Sequence, residues 1–136
     1  MSEPYVAIQV VMMPRDTNPM GVIFGGVILS YIDQAGAVGA RREVQMAGGA
    51  PPNLVTVAVH HVEFKKPVLV GDVVRFVTRP VRLGRTSIAM HVDVEVERGA
   101  EVLRVTEAEV VYVGVDAKER TPVALLGGGA APPDKL

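Results

Sequence analysis

Cysteine and tryptophan are absent from the 136 residues, tyrosine and phenylalanine number three each, and the 14 Lys and Arg do not outnumber the 15 Asp and Glu. Each shortage excludes something. Without cysteine there is no disulfide, no zinc–thiolate centre, no iron–sulfur cluster and no thiol nucleophile. Without a basic surplus, nucleic acid is disfavoured as the main partner, because phosphate binding draws on excess Lys and Arg. From Met1 to Met13 there is neither a basic n-region nor a small-residue cleavage motif, which argues against a secretory signal. Together these shortages point to a cytoplasmic protein.

What is present is aliphatic. The length fits one domain, which can bury roughly two thirds of its unfolded surface. A valine-rich, aromatic-poor composition suggests a large β-sheet packed on something smooth. From Pro19 to Ala40 only Ser30, Tyr31, Asp33 and Gln34 are clearly polar. That stretch is long enough to cross a bilayer and holds a GxxxG match at Gly21 and Gly25. Asp33 would cost about 3 kcal/mol inside a membrane, however, and Gly25–Gly26 would break the span. The segment therefore reads as a helix inside a soluble fold, wrapped almost all round, with no membrane partner.

Along the chain, Tyr5 to Met13 reads as a strand and Pro14 to Gly21 as a loop with two prolines. One long helix runs from Gly26 to about Gln45, and Ala47 to Asn53 links it onward. Four strands follow: Leu54 to Lys66, Asp72 to Val81, Arg85 to Glu97, and Val102 to Val115. In the third of these Ile88, Met90, Val92, Val94 and Val96 alternate with Ala89, His91, Asp93, Glu95 and Glu97, giving an aliphatic face and a wet one. Arg98 to Glu101 is a hairpin turn. The expected fold is α+β, a curved antiparallel sheet wrapped around one helix. Ala35, Gly36, Ala37, Gly39 and Ala40 would let the sheet approach closely. The domain is expected over residues 1–118, with a mobile tail over 119–136.

Asp33 is the only acidic residue between Pro19 and Ala40. A buried carboxylate is costly unless it is paired or put to work. One reading is structural, a cap or a partner for arginine. The other is chemical. Phe24–Gly25–Gly26 leads into the helix start, where unpaired N–H groups favour an anion or a developing oxyanion. At about 1.5 Å per residue, Asp33 lies roughly 10–12 Å along the axis from those glycines. Within one chain that geometry is loose, and a second protomer could complete it.

These residues resemble the hotdog-fold acyl-CoA thioesterases, in particular their YciA-like bacterial branch. The resemblance rests on MPRDTNPMGVIFGG (13–26) followed by VILSYID ending at Asp33, then Val55-Thr-Val, Phe64-Lys-Lys-Pro-Val, Val70-Gly-Asp72-Val-Val, Gly84-Arg-Thr-Ser-Ile88 and Val105-Thr-Glu-Ala108. It spans about residues 5 to 118 and implies a curved antiparallel sheet around one long helix. It also implies hydrolysis of acyl-CoA, with no metal and no cofactor beyond the CoA of the substrate. Asp33 matches the family's helix acid, acting as general base or nucleophile. Gly25 and Gly26 match the oxyanion donors, and Asn18 matches a loop residue that orients substrate or water. Thr56 matches a strand hydroxyl that relatives place near the acid from the other protomer. Gly84, Arg85, Thr86 and Ser87 match a segment near CoA. Val22 departs from the family, which often has Asn or Asp there, and this shifts weight to Asn18. Relatives form hexamers, and an exposed sheet edge asks for at least a homodimer.

Other candidates carry less. His61 and Glu63 share a strand face while His60 points away, which makes a weak metal pair. His91 is expected to be solvated, and Glu107 and Glu109 to be plain surface. Lys65, Lys66, Arg82 and Arg85 could meet CoA phosphates. A non-catalytic acyl-CoA-binding or scaffold domain is the alternative. A dehydratase would want a histidine near the helix start, and none is there.

Overall fold

A computed structural model describes residues 3–126. Strand β1 (Tyr5–Val11) leads through a short 3-10 turn (Pro14–Asp16) to helix α1 (Gly25–Met46). Strands β2 (Leu54–Phe64), β3 (Val73–Leu83), β4 (Ser87–Arg98) and β5 (Glu101–Gly114) follow. Each element lies where the hydrophobic pattern placed it, with ends displaced by one or two residues. β1 stops at Val11 because the Met12 N–H turns to the Asp72 carbonyl and the 3-10 turn begins at Pro14.

All five strands form one antiparallel sheet in the order β1-β3-β4-β5-β2, so β1 and β2 are its edges. Every pairing carries at least one bulge, for example between Thr56 and Ala58 and between Pro80 and Arg82. An extra residue on one strand bends it and deepens its twist. The bends let all five strands reach α1.

Ile28, Ile32, Ala35, Ala40 and Val44 of α1 meet Val74, Phe76, Ile88, Met90, Val92, Val94, Val110 and Tyr112 in one core. The small residues act as anticipated. A Cβ on Gly39 would stand 2.3 Å from Thr78 Oγ1, and one on Gly36 would stand 2.2 Å from the Tyr112 hydroxyl.

Three expectations are corrected. The helix is not wrapped all round: Leu29 and Val38 remain 38% and 42% exposed on the side away from the sheet, with Ser30, Gln34 and Arg41 beside them. A five-stranded sheet reaches only one side of a helix, so the rest of the apolar surface stays open in a single chain. The tail does not begin at residue 119 either. The chain turns at Asp116, bridges Val115 to Pro122, and buries Leu125 in the core. Residues 127–136 of that expected tail lie outside the described residues. Third, the face of β4 opposite the core is not simply wet, since Ala89 and Asp93 are buried on it. No helix among the described residues is long and apolar enough to cross a membrane.

Candidate active site

The loop before α1 is fixed by its own side chains. Asn18 Oδ1 accepts from the Met20 N–H at 2.9 Å and the Val22 N–H at 3.2 Å. Asp16 accepts from the Met13 N–H at 2.9 Å, while its carbonyl accepts from the Phe24 N–H. Gly21 sits at φ +82, a conformation that glycine adopts at little cost. Asn18 thus spends its carbonyl oxygen on the loop and keeps its Nδ2 donor for other use.

Phe24 is extended, and no side chain caps the helix it precedes. The Val27 N–H is taken by the Phe24 carbonyl. The N–H groups of Gly25 and Gly26 have no partner among the described residues. They carry the positive end of the helix dipole, which favours an anion. Beside them lies a cleft of about 280 Å³ lined by Val22, Gly25, Ile28, Phe64, Lys66 and Val68, among others. Phe64 bounds it closely, since its ring would lie 3.5 Å from a Cβ on Gly25. Val22 gives this wall an apolar character.

Two turns further on, Asp33 is half-buried rather than sunk in the core. Thr56 Oγ1 donates to its Oδ1 at 2.7 Å. Within one chain the hydroxyl already reaches the acid. β2 is a sheet edge, and its register opposite Tyr112 puts Thr56 on the face toward α1. Oδ2 carries no hydrogen bond among the described residues.

The Tyr112 hydroxyl, which no sequence pattern singled out, donates to the Asp33 main-chain carbonyl at 2.6 Å. Burial, together with the negative charge of Asp33, pushes its phenol pKa well above the ordinary tyrosine value. It stays a hydrogen-bond donor wherever the fold survives. The only hint in the sequence was an aromatic on the core face of a valine-rich strand.

One chain does not gather the whole candidate set. Gly84, Arg85, Thr86 and Ser87 form the β3–β4 turn, at the end of the sheet where β2 begins and β5 ends. The helix start lies at the other end, where the Ile23 N–H meets the Val68 carbonyl ahead of β3. Asp33 and Thr56 meet; Gly25 and Gly26 open the helix two turns away, with Asn18 in the loop before them; the 84–87 turn stands apart.

A second polar cluster occupies the sheet face away from α1. His91 Nε2 lies 2.8 Å from Asp93 Oδ1, and Arg104 and Arg79 approach Asp93 at 3.2 and 3.4 Å. Lys65 pairs with Glu107, which also faces His91 and Arg104. The hydrogen bond from Lys65 holds the Glu107 pKa below the usual carboxylate range against the effect of burial. His91 is thus half-buried and paired rather than solvated, and Glu107 is no bare surface charge. Alternation along β4 could not show that long cations from β3 and β5 would fold over this face. The donor atoms of His91, Asp93 and Glu107 lie within 4.8 Å of one another, a spacing open to a metal, but three cationic side chains already neutralise the carboxylates. His60, His61 and Glu63 form no such group among the described residues.

With this geometry, the chain matches the thioesterase superfamily over residues 20–103 and belongs to that family. It is 38% identical to the acyl-CoA thioester hydrolase YciA of Escherichia coli (strain K12), over 88% of this chain and 89% of that one. YciA of Salmonella typhimurium is 39% identical over 82% of this chain and 83% of its own. Among solved structures, a hexameric thioesterase from Yersinia pestis superposes with a TM-score of 0.81 at 35% identity, covering 93% of this chain and 99% of that one. A hexameric hotdog fold thioesterase of Campylobacter jejuni gives 0.76 at 39% identity, covering 87% and 89%. The fold is the α+β hotdog fold that the sequence resemblance implied.

Proposed function

We propose that this protein hydrolyses acyl-CoA thioesters to a free acid and CoA, working as a homo-oligomer. The observation that carries the reading is Asp33, held by Thr56 on a helix whose first two N–H groups are free. The family membership and the YciA relatives support the same substrate class.

The N–H groups of Gly25 and Gly26 receive the thioester carbonyl oxygen and stabilise the charge that grows there; one such donor is worth about 3–4 kcal/mol of barrier. Asp33 takes a proton from water through its free oxygen, and the hydroxide attacks the carbonyl carbon. The C–S bond then breaks, and the CoA thiolate leaves and is protonated. Asn18 Nδ2 orients the water or substrate. Thr56 fixes the carboxylate so that one oxygen remains available. Neither step asks for a metal or a further cofactor.

The distance between Gly25 and Asp33 of one chain supports a site shared between copies. The exposed apolar side of α1 adjoins the unpaired edge β2, where Val55, Val57 and Val59 are 40%, 55% and 43% exposed. A second copy on this edge covers the open helix face and brings its own Asp33 toward the first chain's glycines. A larger ring of such dimers brings the 84–87 turn of another copy to the CoA nucleotide. The hexameric neighbours from Yersinia pestis and Campylobacter jejuni support a hexamer, a trimer of dimers. The absence of cysteine supports a cytoplasmic setting.

Thiol release from acetyl-, hexanoyl- and palmitoyl-CoA tests the reading. The wild type turns over at least one of them, and Asp33→Asn lowers kcat by about a hundred- to ten-thousandfold. If the wild type releases thiol from none, the acyl-CoA-binding or scaffold reading replaces this one. If Asp33→Asn retains full turnover, Asp33 is structural. In a single turnover in oxygen-18 water, label in Asp33 reports direct attack followed by water opening the mixed anhydride at the Asp33 carbonyl, whereas general-base catalysis labels the product acid alone.

A further inference from the structure

We propose that Tyr112 is a positioning residue for Asp33, closing a two-point clamp from β2 and β5 with Gly36 as its socket. The proposal rests on the catalytic role given to Asp33 above. Thr56 and Tyr112 are direct cross-strand partners on neighbouring strands. Thr56 holds the Asp33 carboxylate at 2.7 Å, while the Tyr112 hydroxyl holds the Asp33 main-chain carbonyl at 2.6 Å. One rung of the sheet thus grips the side chain and the backbone of one residue.

A helical carbonyl has two lone pairs, so Asp33 can accept the phenol without giving up its place in the helix ladder. Tyr112 is 1% exposed and among the largest fully buried side chains, so its ring cannot swing away. Gly36 lies three residues after Asp33, on the same helix face. Its missing side chain is the space that the phenol oxygen fills: a Cβ there would stand 2.2 Å from that oxygen but 3.1 Å from the ring carbon bearing it. The polar tip therefore fits only because position 36 is glycine. Where the reacting atoms must be placed closely, a shift of about 1 Å costs about a hundredfold in rate.

The experiment is a double-mutant cycle on the full-length protein, using Tyr112→Phe, Gly36→Ala and the two combined. Tyr112→Phe keeps the ring and removes the hydroxyl. It is expected to lower kcat about tenfold with KM for the acyl-CoA changed less than twofold, and to speed amide hydrogen exchange across residues 33–37. Gly36→Ala lowers the melting temperature with Tyr112 present and much less in the Tyr112→Phe background, because the clash is with the hydroxyl. The double variant regains thermal stability without regaining kcat, which separates positioning from packing. Wild-type kcat and unchanged exchange in Tyr112→Phe would overturn the clamp. If the wild-type protein itself cleaves no thioester, the function fails instead, and exchange at residues 33–37 still decides whether the clamp exists.

Discussion

The hydroxyl of exposed Thr56 and the carboxylate of half-buried Asp33 make a charge-assisted hydrogen bond, where water competes for both. Its main effect is to choose one carboxylate rotamer. Thr56→Val, close in shape, is expected to lower kcat about tenfold, as a lost bond to a charged group does, and to leave the melting temperature nearly unchanged. Steady-state kinetics beside a thermal scan would check both. Asp72 is different in kind. Burial works against its ionisation, but the hydrogen bonds from Arg98 at 2.6 Å and from the Leu69 N–H prevail and hold its pKa below the ordinary value. A depressed carboxylate pKa means that the unfolded chain binds the proton more readily. The stabilisation is complete above about pH 4, where an unfolded Asp ionises, and drains away as pH falls through the folded value. Urea midpoints between pH 3 and pH 7 should fall at the acid end for the wild type. Asp72→Asn should start lower at pH 7 and show a flatter acid limb.

At the scale of elements, hydrophobic period identified the helix and all five strands, because the core of this fold is built from long, regular aliphatic runs. Asp33 and the paired glycines stood out for the same reason: a carboxylate and a helix-opening Gly–Gly interrupt an otherwise apolar stretch. Tyr112, by contrast, looked like one more core residue, since its partner is a main-chain carbonyl with no signature in sequence. Asp93 and Leu125 escaped for a related reason. Alternation tells which face a residue occupies, not whether arginines from β3 and β5 or a returning loop will cover that face. The helix–sheet approach depends on glycine in a measurable way. Gly39→Ala would drive a methyl into Thr78 on β3, and is expected to destabilise the fold by about 1–3 kcal/mol, read as a lower urea midpoint with an unchanged m-value.

For the whole molecule, Leu29 and Val38 on the open side of α1 and Val55, Val57 and Val59 on the edge strand β2 are apolar side chains that a lone chain leaves in water. Val57, at 55% exposure on the bulged edge, is the most exposed of those valines. Val57→Lys places a charge on the pairing edge and is expected to yield a smaller species by sedimentation, with helix content retained and thioesterase activity lost. Retained assembly and activity would move the subunit contact elsewhere. The far end of the chain carries its own consequence. Leu125 sits where side chains on Gly49 or Gly114 would collide with it, and its N–H is bound to the Arg85 carbonyl. The segment from Asp116 to Leu125 is therefore a buckle across the hairpin proposed to greet the nucleotide. Shortening the polypeptide at residue 118, where composition alone suggests the fold is finished, would unfasten that hairpin and blunt affinity for CoA before it touched the acid that cuts the thioester.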